Sequence, residues 1–401
     1  MAKTITITAL DIGTSSIKVL VGQKKLGSDS VSILAKIDVP CFGVRKGEVF
    51  NSGEVARAVS NVKQHLQKLN IGKIKKVLIN IGGSHIFSFP SQGLVSVSRA
   101  DQKISQEDIQ RAFKASEAIK LPLNKEVLDV QLTEFIVDGE RGIEDPLGLQ
   151  GIRLETKVLL ICVFSPILQN LEEAITEADF EIEEIIPSPL AVSRAILTPQ
   201  QKELGVAAVD IGGGTTSLSV FSEGKLRDFV IFSIGSSNIT SDIAIGLRTE
   251  IATAEKIKRE FGSLNSIRKK SKKSKIEIPE KSLSFPQDLL RNIIESRVSQ
   301  IFFELQKELK RISKQTLLPA GVIFTGGGSL LPGLQEFAKK NLFLPCYLSG
   351  PKGITGVEDP SFSTCSGLLL SGFDSEEEDE TTGGGEGPRK WLRKIVEIFG
   401  T

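Results

Sequence analysis

Two short acidic turns in different halves of this chain of 401 residues most constrain its fold. The segment Asp11–Ser16, with sequence DIGTSS, is echoed by Asp210–Thr216, with sequence DIGGGTT. A short apolar run with strand alternation precedes each turn, and a second such run follows it, which predicts strand, turn and strand. Two matching hairpins predict two duplicated half-domains that face one cleft.

The residue types in these turns suit a metal-bound phosphate. An aspartate at the end of a strand can hold hydrated Mg²⁺, which prefers oxygen ligands. Glycines beside it let backbone N–H groups approach phosphate oxygens, and hydroxyl groups can donate to the same oxygens, as at Thr14, Ser15, Thr215 and Thr216. An ordinary Asp-Gly turn is the alternative for either copy alone, but the repeat favours a nucleotide.

Composition narrows the function classes. The formal net charge is +1, so the whole-molecule field favours no nucleic-acid partner. The sequence has four cysteines without a CxxC pair and two histidines, which predicts a reducing cytoplasm and excludes a multi-histidine metal centre. The N-terminus has a strand pattern and does not resemble a signal peptide.

Two further segments stand apart from the hairpins. Residues 84–164 contain strand-like runs, a capping box at Ser105–Asp108 and a turn-rich DPLGLQG segment, but no phosphate-type loop, so they are a candidate inserted subdomain. The buried strand Val322–Thr325 runs into Gly326–Ser329, a turn at a helix N-terminus where a phosphate or ribose can sit. A long amphipathic helix is predicted over about 286–312.

The end of the chain changes character abruptly. Residues 373–387 are acidic and then glycine-rich, which predicts a disordered linker. A helix over 388–401 would place Trp391, Leu392, Ile395, Val396, Ile398 and Phe399 on one face, with Arg389, Lys390, Arg393 and Lys394 on the other. This pattern predicts an in-plane anchor on an anionic membrane. Docking on the protein's own core or on a partner protein is the alternative.

Taken in order, these motifs resemble the FtsA cell-division family, which belongs to the superfamily of actin, Hsp70 and sugar kinases. The resemblance covers nearly the whole chain and rests on Asp11–Gly22, Glu134–Gly151, Val209–Phe221, Ser241–Ala244 and Thr325–Gly333, with the amphipathic tail in addition. It implies an α/β protein with a two-lobed, actin-like (ribonuclease-H-like duplicated) fold and an inserted subdomain 1C. The implied organisation is subdomain 1A at 1–83 and 165–199, an SHS2-like subdomain 1C at 84–164, subdomain 2A at 200–234 and 319–372, subdomain 2B at 235–318, the linker at 373–387 and the membrane-targeting helix at 388–401.

The same resemblance implies ATP with Mg²⁺ between the lobes. Asp11 and Asp210 would face the metal, mainly through water, and Asp210 is also implied to be the catalytic residue. The residues implied to contact phosphates are Gly13, Thr14, Ser15, Lys18, Gly212, Gly213, Gly214 and Thr215. Those implied to contact adenosine are Glu255, Lys258, Gly326, Gly327, Gly328 and Ser329. An exposed strand lysine is the alternative for Lys18, and a solvated helix face is the alternative for Glu255 and Lys258.

One departure from the superfamily pattern concerns catalysis. Several relatives place a carboxylate or glutamine before a Pro-Leu-Ala type of element to orient the attacking water. Here Ser188 precedes Pro189–Ala191, and serine is not a general base by itself. We therefore expect at most a weak ATPase.

The resemblance also implies partners. FtsA proteins bind the C-terminal tail of the tubulin-like protein FtsZ through subdomain 2B, and Arg297 is the first candidate contact. The basic loop 268–275 is either a steering element or a solvated loop. Other implied partners are further copies of the chain in a filament, the anionic membrane, and other division proteins through subdomain 1C, on the cytoplasmic side of the cell membrane at the division site. The alternatives are an actin-like scaffold for pilus assembly and a sugar-kinase-type phosphotransferase.

Overall fold

The structure is a computed structural model that describes residues 4–381 except 26, 29, 70, 119–120, 266–274, 279–282 and 314–316. The predicted membrane anchor at 388–401 and nearly all of the basic loop 268–275 therefore lie outside the described residues. The described chain contains both strands and helices, which are mixed along its length as the α/β prediction requires.

The strands and helices are numbered in chain order. The strands are β1 (Thr4–Ile12), β2 (Ser16–Lys25), β3 (Val31–Pro40), β4 (Val44–Arg45), β5 (Glu48–Val49), β6 (Lys76–Ile81), β7 (Ile86–Ser96), β8 (Lys125–Val137), β9 (Glu140–Ile143), β10 (Arg153–Phe164), β11 (Glu181–Pro187), β12 (Val206–Ile211), β13 (Thr216–Ser222), β14 (Lys225–Phe232), β15 (Lys275–Ile278), β16 (Leu283–Pro286), β17 (Val322–Thr325) and β18 (Cys346–Leu348). The helices are α1 (Ser52–Lys68), α2 (Gln106–Glu117), α3 (Ser165–Glu177), α4 (Ser188–Ile196), α5 (Pro199–Leu204), α6 (Ser236–Leu247), α7 (Ile251–Phe261), α8 (Gln287–Ser313), α9 (Leu334–Leu342) and α10 (Ser363–Thr381).

The duplication predicted from the turns is visible in the two main sheets. Within the described residues, the first sheet has the order β3-β2-β1-β6-β11, and the second has the order β14-β13-β12-β17-β18. In both sheets three antiparallel strands are followed by two parallel ones. Each lobe therefore repeats one sheet topology, and β1–β2 corresponds to β12–β13.

The inserted segment forms a separate sheet with its own core. Strands β7, β10, β8 and β9 pair in that order, and α2 packs on one face of the sheet. The predicted capping box starts α2, where Ser105 and Asp108 exchange hydrogen bonds. Sequence reasoning expected two short strands where the structure has the single strand β7; Pro90 is tolerated there because β7 lies at the edge of the sheet.

Two helices lie between the halves of the molecule. Helix α4 follows the first sheet and contacts β12 and β13 of the second, while α10 follows the second sheet and contacts β1, β2 and β6 of the first. They cross so closely that a Cβ on Gly367 would lie 1.7 Å from the carbonyl oxygen of Ala191. The apolar side of α10 is buried against the first sheet, with Leu368, Leu369 and Phe373 almost inaccessible to solvent.

The predicted linker begins later than the sequence indicates. Helix α10 continues through the acidic segment to Thr381, although its composition favours disorder. Asp374 pairs with Arg194 at 2.6 Å, and Glu377 pairs with Lys24 at 2.6 Å. These pairs connect the acidic turns of the helix to the first lobe, so the start of the linker at 373 was wrong.

Candidate functional site

The two acidic turns have the same backbone geometry. In the first, Ile12 pairs with Ile17, and the N–H of Gly13 donates to the carbonyl of Ser16 at 3.1 Å. In the second, Ile211 pairs with Thr216, and the N–H of Gly212 donates to the carbonyl of Thr215 at 2.9 Å. Each turn thus follows a paired strand that carries an aspartate next to its last residue, as the sequence predicts.

The turns face each other at close range. A Cβ on Gly214 would lie 2.6 Å from Oγ1 of Thr14, and a Cβ on Gly213 would lie 3.1 Å from Oγ of Ser15. A real side chain at Gly214 would collide with the first turn, so glycine is required for this approach. The phosphate-type residues predicted in the two halves of the sequence are therefore brought together.

The two aspartates are acids with raised pKa values, of which Asp11 is buried and Asp210 is partly exposed. Asp11 is 8% exposed, and burial raises its pKa to about 6 against the opposing charge of Lys18. Burial also raises the pKa of Asp210 to about 7, and the nearby Asp11 carboxylate adds to that rise. Two such acids ionise together more easily when a cation lies near them.

Lys18 lies opposite Asp11 in the β1–β2 register, and its side chain is partly buried. Its Nζ donates to Oγ of Ser16 at 3.1 Å. Its charge lowers the pKa of both aspartates. This position favours a role in the cleft over that of an exposed strand lysine.

The glycine turn after β17 packs directly on the second aspartate. Gly326 has a φ of +85°, and a Cβ there would lie 2.0 Å from Oδ1 of Asp210. Ser329 is buried and donates to the carbonyl of Gly326 at 2.7 Å. Beside this turn lies a surface pocket of about 460 Å³, whose lining includes Leu331, Pro332 and Leu348. Sequence reasoning did not single out these apolar residues.

Glu255 and Lys258 on α7 are held against α6. Burial raises the pKa of Glu255, but hydrogen bonds from Lys258, Thr240 and Arg259 outweigh it and lower the pKa to about 2. Lys258 Nζ lies 2.7 Å from Glu255 and 3.2 Å from the carbonyl of Ser236. The pair contacts α6 and is partly buried, with 12% of the Lys258 side chain and 33% of the Glu255 side chain exposed.

The N-terminus of α6 supports the second turn, a connection that the sequence did not reveal. The N–H groups of Ser236 and Ser237 donate to the carbonyls of Gly212 and Gly213 at 2.9 and 2.8 Å. The turn is therefore held from its carbonyl side. A serine pair before an apolar run was the available signal, because serine is common at helix starts.

Ser188 is engaged in structural hydrogen bonds. Its hydroxyl donates to the carbonyl of Ile81 at 3.0 Å and accepts from Asn80 Nδ2 at 3.0 Å. Asn80, which sequence reasoning missed, also donates to Oδ1 of Asp11 at 2.9 Å. With its proton committed to a backbone carbonyl, Ser188 is poorly placed to take a proton from water.

Arg297 lies away from the cleft, on α8. Its guanidinium forms a bidentate pair with Asp242 of α6, with distances of 2.6 and 2.8 Å. A groove of about 470 Å³ opens beside this pair, and its lining includes Ile245, which is 77% exposed, and Ile293. Gly246 lets the two helices approach, since a Cβ there would lie 2.6 Å from Cδ1 of Ile293.

The residues at the facing turns fit Mg²⁺ and a nucleotide. The donor set consists of carboxylates and hydroxyls, the hard oxygen ligands that Mg²⁺ prefers, together with the phosphates of its nucleotide. The raised pKa values of the two acids show that their charged forms need a compensating charge. The glycines of the second turn place no side chain between it and the first turn. Within the part of the chain that the structure describes, no helix is long and apolar enough to cross a bilayer.

The duplicated sheets and facing acidic turns define an actin-like protein with an inserted domain. Among solved structures, the fold matches the PilM-PilN type IV pilus biogenesis complex with a TM-score of 0.65 at 17% identity, covering 92% of this chain and 98% of that chain. It also matches MreB5 of Spiroplasma citri bound to ADP with a TM-score of 0.54 at 13% identity, covering 94% and 99%. These likenesses confirm the predicted fold class.

The family follows from closer relatives. The family model for cell division protein FtsA matches residues 207–367, and that for the SHS2 domain inserted in FtsA matches residues 83–162. The FtsA of Pseudomonas aeruginosa is 32% identical over 92% of this chain and 90% of its own length. The FtsA of Bacillus subtilis is 34% identical over 90% and 82%. The chain belongs to the FtsA family of cell division proteins, and the predicted resemblance is confirmed.

Proposed function

We propose that the chain is an ATP-binding adaptor that polymerises on the cytoplasmic face of the cell membrane and tethers FtsZ filaments at the division site. The observation that carries the proposal is the pair of acidic turns that meet across one cleft. Family membership supports the division role and favours it over the pilus-scaffold and sugar-kinase alternatives.

In this proposal ATP lies between the lobes with Mg²⁺ beside Asp11 and Asp210. Mg²⁺ neutralises phosphate charge, while the hydroxyls and backbone of the two turns hold phosphate oxygens. The glycine turn at Gly326 and the Glu255–Lys258 pair flank the adenosine, and Leu331 offers an apolar contact to the base. Thr14 and Gly214 are so close that a phosphate between them requires the lobes to separate.

Hydrolysis is proposed to be slow. The hydroxyl of Ser188 already donates to Ile81 and accepts from Asn80, so it contributes little to activating water. Slow turnover suits a protein whose nucleotide controls assembly, because a long-lived bound state keeps the polymer together. The proposed activity is therefore that of a nucleotide-gated polymer with weak ATPase activity at most.

The proposed site for the FtsZ tail is the groove between α6 and α8. Exposed Ile245 and partly buried Ile293 offer apolar contacts to an extended or helical peptide. Arg297 faces the same groove, and an acidic peptide would share its guanidinium with Asp242. The groove thus combines apolar anchors with one cationic group, a common arrangement at peptide-binding surfaces.

The membrane contact is assigned to residues 388–401, which lie outside the described residues. A single short amphipathic helix binds a bilayer weakly and reversibly. A filament joins many such helices, so avidity supplies the affinity that one copy lacks. Assembly and membrane binding would therefore reinforce each other, and the inserted domain would be left to contact other division proteins.

Calorimetric titration with Mg·ATP tests the nucleotide site. We expect Asp210→Ala to weaken binding roughly 10- to 100-fold, as for loss of a group that supports a metal through water. The control is Asp179→Ala, which removes an exposed carboxylate paired with Lys63 on the first lobe. Equal affinities for the wild-type chain and Asp210→Ala would remove Asp210 from the site.

A further inference from the structure

Asn80 is a buried amide in an otherwise apolar strand. It is 4% exposed and lies in β6, whose sequence is KVLINI. Burying an amide without hydrogen bonds costs free energy, on the order of 1–3 kcal/mol in proteins. An asparagine kept at such a position is therefore expected to have specific partners.

Three hydrogen bonds use the amide of Asn80. Its Oδ1 accepts from the backbone N–H of Ile12 at 2.6 Å. Its Nδ2 donates to Oδ1 of Asp11 at 2.9 Å and to Oγ of Ser188 at 3.0 Å. The Asn80 side chain thus bonds to both the backbone N–H of Ile12 and the Asp11 carboxylate, which restricts the orientation of that carboxylate.

The duplicated half provides an internal comparison. Strand β6 lies beside β1, with Leu10 opposite Ile79, so that Asn80 comes next to Asp11. In the second lobe β17 lies beside β12 with Thr325 opposite Asp210. The hydroxyl of Thr325 bonds to Ser363 at 2.6 Å and so points to α10. Asn80 on the strand next to Asp11 hydrogen-bonds the Asp11 carboxylate, whereas Thr325 on the strand next to Asp210 bonds to Ser363 instead.

We propose that Asn80 is a positioning residue that fixes the Asp11 carboxylate for the magnesium ion of the bound nucleotide. The proposal rests on the proposed nucleotide site. The hydrogen bond from Asn80 occupies Oδ1 and leaves Oδ2 for the metal and its waters. The two aspartates then have different supports, since Asp11 is hydrogen-bonded by Asn80 whereas Asp210 is packed against the turn at Gly326.

The test compares ATP affinity with Mg²⁺ and with EDTA. Calorimetry on Asn80→Ala, and on Asn80→Leu, which keeps the buried volume, should show Mg·ATP binding weakened roughly 10- to 100-fold, the usual effect of losing a partner that orients a metal ligand. Binding of metal-free ATP should change less than about twofold, because Asn80 does not contact the nucleotide. Thr325→Val is the matched control from the other lobe and should retain the Mg²⁺ dependence of the wild-type chain.

The outcomes separate the two proposals. A wild-type chain that binds no ATP would contradict the nucleotide site itself. A wild-type chain that binds Mg·ATP, with Asn80 variants losing metal-free and Mg-bound affinity equally, would overturn the positioning role and leave the site standing. Unchanged affinities in a folded Asn80→Leu variant, checked by circular dichroism, would overturn it as well.

Discussion

At the scale of single residues, Arg297 shows how a predicted contact depends on its neighbours. The side chain was chosen for its charge, yet in the fold the guanidinium is already paired with Asp242. An acidic peptide must therefore either share the Arg297 guanidinium with Asp242 or displace Asp242 from it. The hydrogen bonds that Arg297 donates to Asp242 also raise the pKa of Arg297 further above its ordinary value, so the charge persists at any physiological pH.

We predict that Arg297→Ala weakens binding of an FtsZ C-terminal tail peptide at least about tenfold, which corresponds to ~1.4 kcal/mol. The loss has two causes, the missing cation and the unpaired Asp242 that then repels the acidic peptide. Fluorescence anisotropy with a labelled peptide measures the effect. Arg227→Ala is the control, since Arg227 pairs with Glu223 outside the groove. If both variants weakened binding equally, or if neither did, the peptide site would have to lie elsewhere on the protein.

Local chemistry explains which site residues were predictable. The turns at Asp11 and Asp210 carry their own signal, because aspartate, glycine and hydroxyl residues follow an apolar strand in both copies. Asn80 carries a weaker signal, since a lone asparagine in the run KVLINI is unusual for a strand but does not reveal its partners. Its role depends on β6 lying beside β1, and strand order in a sheet is a tertiary fact that local pattern does not encode.

At the scale of elements, the apolar periodicity of the sequence predicted the long helix α8 well, whereas composition placed the end of helix α10 too early. The helix predicted over about 286–312 is Gln287–Ser313, since its apolar face repeats through the whole length. The acidic end of α10 was assigned to a linker because its composition favours disorder, and a run of carboxylates also disfavours a helix C-terminus. Arg194 and Lys24 offset that cost through ion pairs, and these partners are far away in sequence.

The crossing of α4 and α10 gives a prediction for this scale. Gly367→Ala should lower the free energy of unfolding by at least about 2 kcal/mol, because the added Cβ would overlap the carbonyl of Ala191 and force the helices apart. Urea denaturation measures the change. Gly53→Ala in α1 is the matched control; a Cβ there meets nothing closer than 3.7 Å, so helix propensity should stabilise it by about 0.5–1 kcal/mol. Full stability in Gly367→Ala would mean that the crossing is looser than described.

At the scale of the whole molecule, polar contacts join the insertion to the second lobe. The inserted domain contacts the second lobe where Ser88 donates to Asp228 at 2.7 Å, and Arg311 of α8 binds the same carboxylate at 2.6 Å. A change in the angle between the lobes would therefore alter the contact between Asp228 and Ser88 of the insertion. One carboxylate, that of Asp228, thus joins the insertion, the second lobe and α8.

The tail gives a prediction for the intact chain. Deleting 388–401 should abolish co-sedimentation with anionic liposomes and leave ATP affinity unchanged, because the basic residues contribute about 1 kcal/mol each at an anionic surface. The control deletion removes residues 382–385 and shortens the spacer while keeping the amphipathic segment. Liposome binding that survives loss of 388–401 would place the membrane contact on another surface.

The most direct measurement of the central claim is a crystal structure with Mg²⁺ and a non-hydrolysable ATP analogue. The account predicts the triphosphate between the turns at Asp11–Ser16 and Asp210–Thr216, the metal within reach of both aspartates through water, and Thr14 farther from Gly214 than the contact seen here. A nucleotide bound elsewhere, or a cleft that stays closed at saturating analogue, would contradict it.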